Sequence, residues 1–201
     1  RLDGVNIEAP GVVLQDSFIK VNKNMQTNIS SIYAIGDVTG GWQLAHTASA
    51  QGLIAVDHIA NKKNNININV IPVCVYTRPE ISSVGMTEND AIEAGNSVKA
   101  GFFPLTNNSK TLIMGENKGF VKIISDAVTG AVLGGQIIGS RATDLISEIA
   151  LAISSELTID ELGSTIHPHP TVSESLLECA HDIEGLSIHK MRTFKKKVVE
   201  G

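Results

Sequence analysis

A run rich in asparagine and lysine, NKKNNININ at residues 61–69, divides the chain into two stretches of different character. Asparagine favours turns over packed helices and strands, so the run is typical of a linker. The residues before it have the pattern of an α/β segment, whereas those after it form short apolar runs separated by turns and helical patterns. We therefore predict the C-terminal part of an α/β domain over residues 1–64 and an α+β domain over residues 65–201.

The first stretch predicts a buried strand that leads into a ligand-binding turn. Residues 32–35 (IYAI) form a continuous apolar run of the kind found in parallel sheets, and Gly36 and Asp37 follow at its carboxyl end. Ligands of open α/β sheets bind at that end. Residues 17–22 alternate as a short strand, and residues 45–60 have the apolar pattern of a helix.

The second stretch predicts a mostly antiparallel sheet with flanking helices. Residues 87–94 indicate a short helix that is capped by Thr87, with Asp90 in its first turn. Residues 143–157 indicate an amphipathic helix with one apolar side formed by Leu145, Ile149, Ala152 and Ile153. The expected strands are residues 70–77, 98–105, 119–125 and 131–139.

Composition excludes several classes of partner and location. The net charge of −5 argues against nucleic acid and anionic membranes as main partners. No signal peptide and no run of 18 apolar residues are present. Cys74 and Cys179 do not make a disulfide framework, which indicates a reducing compartment and a cytoplasmic location. Cysteines and histidines lack zinc-type spacing, so no metal site is expected.

The segment TIHPHPTVSESLLECA, residues 165–180, aims two histidines from a rigid backbone. Proline fixes its own φ and biases the preceding residue toward extended conformations, so His167 and His169 are both restrained. Thr171 and Ser173 are candidate caps for the helix that follows, and Glu174 lies five residues after His169. The apolar face of that helix is formed by Leu176, Leu177 and Ala180. These residues alone are compatible with a rigid surface turn or with a catalytic histidine.

Three segments in order carry a family resemblance: IYAIGDVTGGWQLAHTASAQG (32–52), IPVCVYTRPEISSVGMTE (71–88) and HPHPTVSESLLE (167–178). With these segments the chain resembles the flavin-dependent pyridine nucleotide–disulfide oxidoreductases, and within that family the dihydrolipoamide dehydrogenases. The resemblance runs from residue 1 to about residue 190. It implies NAD-dependent reoxidation of protein-bound dihydrolipoamide, with FAD as the flavin. A glutathione-reductase-like enzyme and a non-catalytic dimerisation module are the alternatives.

The resemblance also assigns residues to a flavin site. Asp37 matches the acid that accepts hydrogen bonds from the ribityl hydroxyls of FAD, a role that suits the lone pairs of a carboxylate. The segment 43–46 matches the helix N-terminus beside the isoalloxazine ring, where the helix dipole stabilises negative charge on the reduced flavin. The implied cofactor-binding positions are Gly36, Asp37, Gln43, Leu44, Ala45 and His46.

By the same resemblance, His169 is the acid–base residue and Glu174 is the carboxylate that orients it. His167 is expected to line the site. The family forms two-fold homodimers, in which His169 of one subunit serves the flavin and disulfide of the other. The expected further partner is a lipoyl-bearing protein of a 2-oxoacid dehydrogenase or related complex.

The departures from the family pattern concern its first half. No G-x-G-x-x-G occurs, since GAVLGG at residues 130–135 has the wrong spacing, and no C-x-x-x-x-C is present. We therefore expect a truncated chain or a stand-alone dimerisation module. Such a chain has a partial FAD site, no bound flavin and no activity alone, with NAD bound only in a full-length parent.

Overall fold

The structure, a computed structural model, describes residues 4, 6 and 10–190. The chain divides into two compact units between Asn69 and Val70, and residues 61–69 carry neither helix nor strand. No helix among the described residues combines the length and apolar character needed to cross a bilayer.

The unit that ends at Asn69 is built around one long helix. A small hairpin pairs β1 (Leu14–Gln15) with β2 (Phe18–Ile19), and helix α1 spans Ala45–Ile59. The helix predicted over residues 45–60 is therefore present, and β2 lies inside the strand predicted at 17–22. A single turn of 3₁₀ helix spans Gly36–Thr39 between them. Helix α1 buries Ile54 and Ala55 against Met25, and a second small cluster holds Val12, Ile19 and Ala34.

The predicted parallel strand at residues 32–35 is wrong for this structure. The run forms only an isolated antiparallel bridge between Tyr33 and Gln26. Its backbone hydrogen bonds stay local: the Ala34 N–H donates to the Met25 carbonyl, and the Ile32 carbonyl accepts from the Thr27 N–H. An apolar run reports burial, but strand pairing also requires neighbouring strands.

The unit that begins at Val70 contains a five-stranded antiparallel sheet in the order β3-β4-β7-β6-β5. The predicted α+β class with an antiparallel sheet is confirmed. The strands are β3 (Val73–Val75), β4 (Glu80–Gly85), β5 (Val98–Pro104), β6 (Phe120–Asp126) and β7 (Val132–Gly139). Strand β4 is the one that the sequence pattern missed.

Five α-helices accompany the sheet in the described part of this unit: α2 (Glu88–Glu93), α3 (Ser109–Met114), α4 (Ala142–Ser154), α5 (Ile159–Ser164) and α6 (Glu174–Ile183). Helix α4 packs on β4 and β7, and α6 packs on β5, β6 and α5. Ile149 of α4 and Leu176 of α6 are fully buried in one shared core. The capping box of α2, Thr87 with Asp90, is present as predicted.

Two adjacent glycines in β7 lie where other groups approach the backbone closely. A Cβ atom at Gly134 would lie 2.0 Å from the carbonyl oxygen of Met86, and one at Gly135 would lie 2.6 Å from Cδ1 of Ile149. The absence of a side chain at Gly134 and Gly135 therefore lets the backbone of β7 approach Met86 and helix α4 closely.

Candidate active site

The His-Pro-His segment (residues 167–169) lies in the connection between α5 and α6. The connection is held from several directions. The Thr171 hydroxyl donates to the Pro168 carbonyl at 2.8 Å, and the Asn108 side-chain amide donates to the Thr171 carbonyl at 2.9 Å. These bonds, together with two prolines, leave the segment little conformational freedom.

His169 and Glu174 meet as the sequence predicts. Nδ1 of His169 lies 2.8 Å from Oε1 of Glu174, and the second carboxylate oxygen accepts the Thr171 N–H at 2.8 Å. The His169 side chain is 67% exposed, while that of Glu174 is 21% exposed. Since a carboxylate accepts only, Nδ1 carries the proton and Nε2 is left as the basic nitrogen. This geometry suits an acid–base residue whose ring direction is fixed by a carboxylate.

The helix start differs from the predicted capping. Ser173 occupies the N-cap position of α6 but makes no side-chain cap hydrogen bond, and the Thr171 hydroxyl bonds back to Pro168 instead. The Glu174 carboxylate takes the Thr171 N–H, so the residue predicted to orient His169 also anchors the turn. The predicted capping by Thr171 and Ser173 side chains is therefore wrong.

Several contacts determine the ionisation of Glu174. Burial raises its pKa, but the hydrogen bonds from the Thr171 N–H and the His169 ring outweigh burial and hold the pKa below its usual range. The carboxylate is therefore ionised at neutral pH and can stabilise positive charge on His169.

His167 does not line an open site as expected. Its side chain is only 4% exposed, Nε2 lies 2.9 Å from Oε1 of Glu148 on α4, and Nδ1 lies 2.9 Å from the Thr165 carbonyl oxygen. The partner, Glu148, was not anticipated from the sequence, because nineteen residues and helix α5 separate it from His167. The two histidines of one short segment thus have different environments.

The hydrogen bond that the Nε2–H of His167 donates to Glu148 is the main cause that raises the pKa of His167, and it outweighs the opposing effect of burial. A group whose folded pKa is raised adds stability below its unfolded pKa, about 6.5, and loses that contribution as pH rises through the folded pKa. We expect Glu148→Gln to destabilise the protein by about 1.5–3 kcal/mol near pH 6. Urea unfolding should show that this difference from the unsubstituted chain shrinks as the pH is raised from 6 through the folded pKa of His167. A difference that stays constant across this range would contradict the prediction.

A second histidine–glutamate pair lies one helical turn further along α6, and sequence reasoning missed it. Nδ1 of His189 lies 2.7 Å from Oε1 of Glu178, and the other oxygen of Glu178 accepts the backbone N–H groups of Ile188 and His189. Glu178 is buried, and these donors together with the Ser187 hydroxyl satisfy its charge. The sequence did offer one indication: Glu174 and Glu178 are four residues apart, so they lie on the same face of α6.

The predicted flavin-site residues of the first unit lie around the start of α1. The Gly36 N–H donates to the Gln51 side chain on α1 at 2.6 Å, which fixes the turn that carries Asp37 against the helix. Leu44 is the N-cap residue, and its apolar side chain makes no cap hydrogen bond. The remaining three positions lie beside it and are exposed: Gln43, Ala45 and His46.

Neither a metal cluster nor a reactive thiol is evident among the described residues. No group of three or more histidine, cysteine or acidic side chains there could hold a metal ion. Cys74 and Cys179 are both free, and burial raises the pKa of each thiol. These cysteines are thus poor nucleophiles.

Comparison with known families decides the identity of the fold. Residues 71–180 match the family described as pyridine nucleotide-disulphide oxidoreductase, dimerisation domain. The chain belongs to the pyridine nucleotide-disulphide oxidoreductases. Residues 3–52 match a second profile described by the name of the same family. His169 and Glu174 both lie inside the dimerisation-domain match.

Several similar curated proteins are dihydrolipoyl dehydrogenases. The Bacillus subtilis protein is 46% identical over 190 residues, which cover 94% of this chain and 40% of that protein. The Thermus scotoductus protein is 41% identical, over 94% of this chain and 41% of that protein. The chain thus spans about 40% of the length of the curated relatives it matches.

Solved structures of the family have the same fold. LpdA from Mycobacterium tuberculosis superposes with a TM-score of 0.84 at 32% identity, over 90% of this chain and 40% of that chain. The HOCl-induced flavoprotein disulfide reductase RclA from Escherichia coli gives a TM-score of 0.78 at 26% identity, over 85% of this chain and 40% of that chain.

Proposed function

We propose that this chain supplies the acid–base pair and the subunit interface of a dihydrolipoyl dehydrogenase, which oxidises a protein-bound dihydrolipoyl group with NAD. The observation that carries the proposal is the His169–Glu174 hydrogen bond of 2.8 Å, with the rest of the imidazole exposed, inside a segment that matches the dimerisation domain. The similarity to dihydrolipoyl dehydrogenases supports this substrate class over glutathione.

The chemistry of the pair follows from its geometry. Nε2 of His169 accepts the proton of a substrate thiol, so that the S–H bond breaks, an N–H bond forms and a thiolate remains. Nδ1–H keeps its bond to Glu174, whose negative charge stabilises the imidazolium. In the reverse direction the same proton returns to the sulfur.

The residues around the start of α1 fit a flavin. Asp37 offers carboxylate oxygens to hydroxyl donors, and the uncapped N-terminus of α1 offers backbone N–H groups to a group that bears negative charge. The hydroxyl of Thr47, in the first turn of α1, is buried with no hydrogen-bond partner among the described residues. When bound, FAD would carry the electron pair between the dithiol and NAD.

We also propose a homodimer, which the match to a dimerisation domain supports. The unit that begins at Val70 exposes large apolar side chains, among them Tyr76 at 81% and Ile113 at 70%. Such surfaces are commonly buried between subunits. Light scattering at micromolar concentration should give twice the chain mass of 21.3 kDa. A monomeric mass would contradict this.

The remaining partners follow from the substrate. A dihydrolipoyl group carried on a protein implies a lipoyl-bearing component of a 2-oxoacid dehydrogenase or related complex. We place the protein in the cytoplasm, since Cys74 and Cys179 are free thiols, as is common in a reducing compartment.

A chimeric enzyme tests the substrate. The chain would replace the matching C-terminal 40% of the Bacillus subtilis relative, which supplies the remaining sequence. We expect NAD reduction with dihydrolipoamide and no oxidation of NADPH with glutathione disulfide. Activity with glutathione disulfide and none with dihydrolipoamide would instead indicate a glutathione-reductase-like enzyme. A folded, flavin-loaded chimera without either activity would refute the proposal.

A further inference from the structure

The buried histidine of the His-Pro-His segment has no nitrogen left for chemistry. Nε2 of His167 faces the Glu148 carboxylate and Nδ1 faces the Thr165 carbonyl, each at 2.9 Å. Both partners accept hydrogen bonds and neither donates when Glu148 is ionised. Both ring nitrogens must then donate, which requires the doubly protonated imidazolium.

Because the His167 side chain is buried, its charge depends on protein partners and not on water for stabilisation. The His167 side chain is 4% exposed and that of Glu148 is 32% exposed, so the imidazolium is shielded from water while the carboxylate keeps partial solvation. A buried charge is tolerated when it is paired and hydrogen-bonded, and His167 meets both conditions. Exposed His169, two residues later, has one acceptor partner and remains able to exchange its proton.

We propose that His167 is a positioning residue: an imidazolium, charged at neutral pH, that ties the His-Pro-His segment to α4 and so holds Nδ1 of His169 on Glu174. The inference rests on the proposed function of the His169–Glu174 pair. His167 itself contacts no substrate in this role. Its two hydrogen bonds fix the backbone from which the ring of His169 projects.

The groups that face His167 support this role. Glu148 approaches from α4 and the Thr165 carbonyl from the end of α5, and Glu174 of α6 also attracts positive charge on the His167 ring. The buried imidazolium thus lies in the field of the carboxylate that orients His169. Loss of the Glu148 contact would therefore affect the pair through both the backbone and the local charge.

Nitrogen NMR of histidine-labelled chain tests the proposal without any assay of activity. Near pH 7, where an ordinary imidazole of pKa about 6.5 is mostly neutral, both ring nitrogens of His167 should be protonated. In its neutral form, His169 should be held as the Nδ1–H tautomer. Glu148→Gln should abolish the second proton of His167 near pH 7, and it should shift His169 toward the tautomer mixture of free imidazole.

Asp144→Asn is the matched control, because Asp144 is another carboxylate of α4 and pairs with Arg141 instead of a histidine. It should leave the spectra of both histidines unchanged. A singly protonated His167 in the unsubstituted chain would overturn the charge assignment. If the Glu148→Gln variant is less stable than the unsubstituted chain but keeps the same His169 tautomer, the positioning role is wrong. This outcome does not depend on whether the chimera oxidises dihydrolipoamide.

Discussion

Replacing His169 by alanine in the chimeric enzyme should lower dihydrolipoamide-dependent turnover by about 10²-fold or more, the usual contribution of a positioned acid–base group. The exposed Nε2 is the only basic atom that the His169–Glu174 pair directs outward. Steady-state rates at saturating NAD, with flavin content measured in parallel, check the expectation.

Glu174→Gln should reduce turnover less than His169→Ala. The amide can still accept a hydrogen bond from Nδ1, but it carries no charge to stabilise the imidazolium. Glutamine has one acceptor oxygen where the carboxylate has two, so it loses the hydrogen bond from the Thr171 N–H when it keeps the one from the His169 Nδ1–H. The pH dependence of turnover should move toward lower pH, which distinguishes loss of charge from loss of structure.

His189→Ala is the matched control for His169→Ala. His189 is 62% exposed and its Nδ1 also bonds a glutamate of α6, but it lies after the helix instead of before it. We expect turnover near that of the unsubstituted chimera. If His189→Ala is as damaging as His169→Ala, or if both substitutions leave turnover unchanged, the assignment of the base is wrong. His167 is unsuitable as this control because its ring is paired with Glu148 and we expect this pair to stabilise the fold.

Gly134→Ala should be among the most damaging single substitutions for stability. The new Cβ would lie 2.0 Å from the Met86 carbonyl oxygen and 2.8 Å from its backbone nitrogen. A backbone neighbour cannot move aside as a flexible side chain can, so strand β7 or the segment after β4 must shift. Overpacking of this kind costs about 1–3 kcal/mol and sometimes more. Urea unfolding of the chain, monitored by circular dichroism, measures the loss.

Gly52→Ala makes the same chemical change where space allows it. Gly52 lies within α1, and its added Cβ would meet Ile35 Cδ1 at 3.5 Å, an ordinary contact. Alanine is favoured over glycine inside a helix by about 0.5–1 kcal/mol, so this variant should be neutral or stabilised. Equal effects of the two substitutions would show that the close approach at Gly134 does not limit stability.

The sequence predicted features that depend on local patterns. The α+β class of the second unit is present, and so are the helices near residues 45–60, 87–94 and 143–157. The Thr87–Asp90 capping box is local by nature. The pairing of His169 with Glu174 was expected from the family resemblance and is also present, but the environment of each histidine was not predicted.

Features that depend on distant partners were missed. Strand β4 contains two serines and lacks a long apolar run, yet it pairs with β3 on one side and β7 on the other. One of its serines, Ser82, is buried and donates to the Ala142 carbonyl, so tertiary contact compensates for a weak local pattern. The contact of His167 with Glu148 likewise depends on how α4 packs, which no local pattern reports.

Helix α6 begins at Glu174 and buries Leu176, Cys179 and Ala180 within the next two turns. The same short helix therefore carries the Glu174 carboxylate at its start and packs into the core of its unit. Natural variation in this helix is subject to two selective pressures at once, since a change that loosens the interior also displaces the proton acceptor's partner. Directed evolution toward a new thiol substrate should accordingly find few tolerated changes in α6 and should yield more from the surrounding loops.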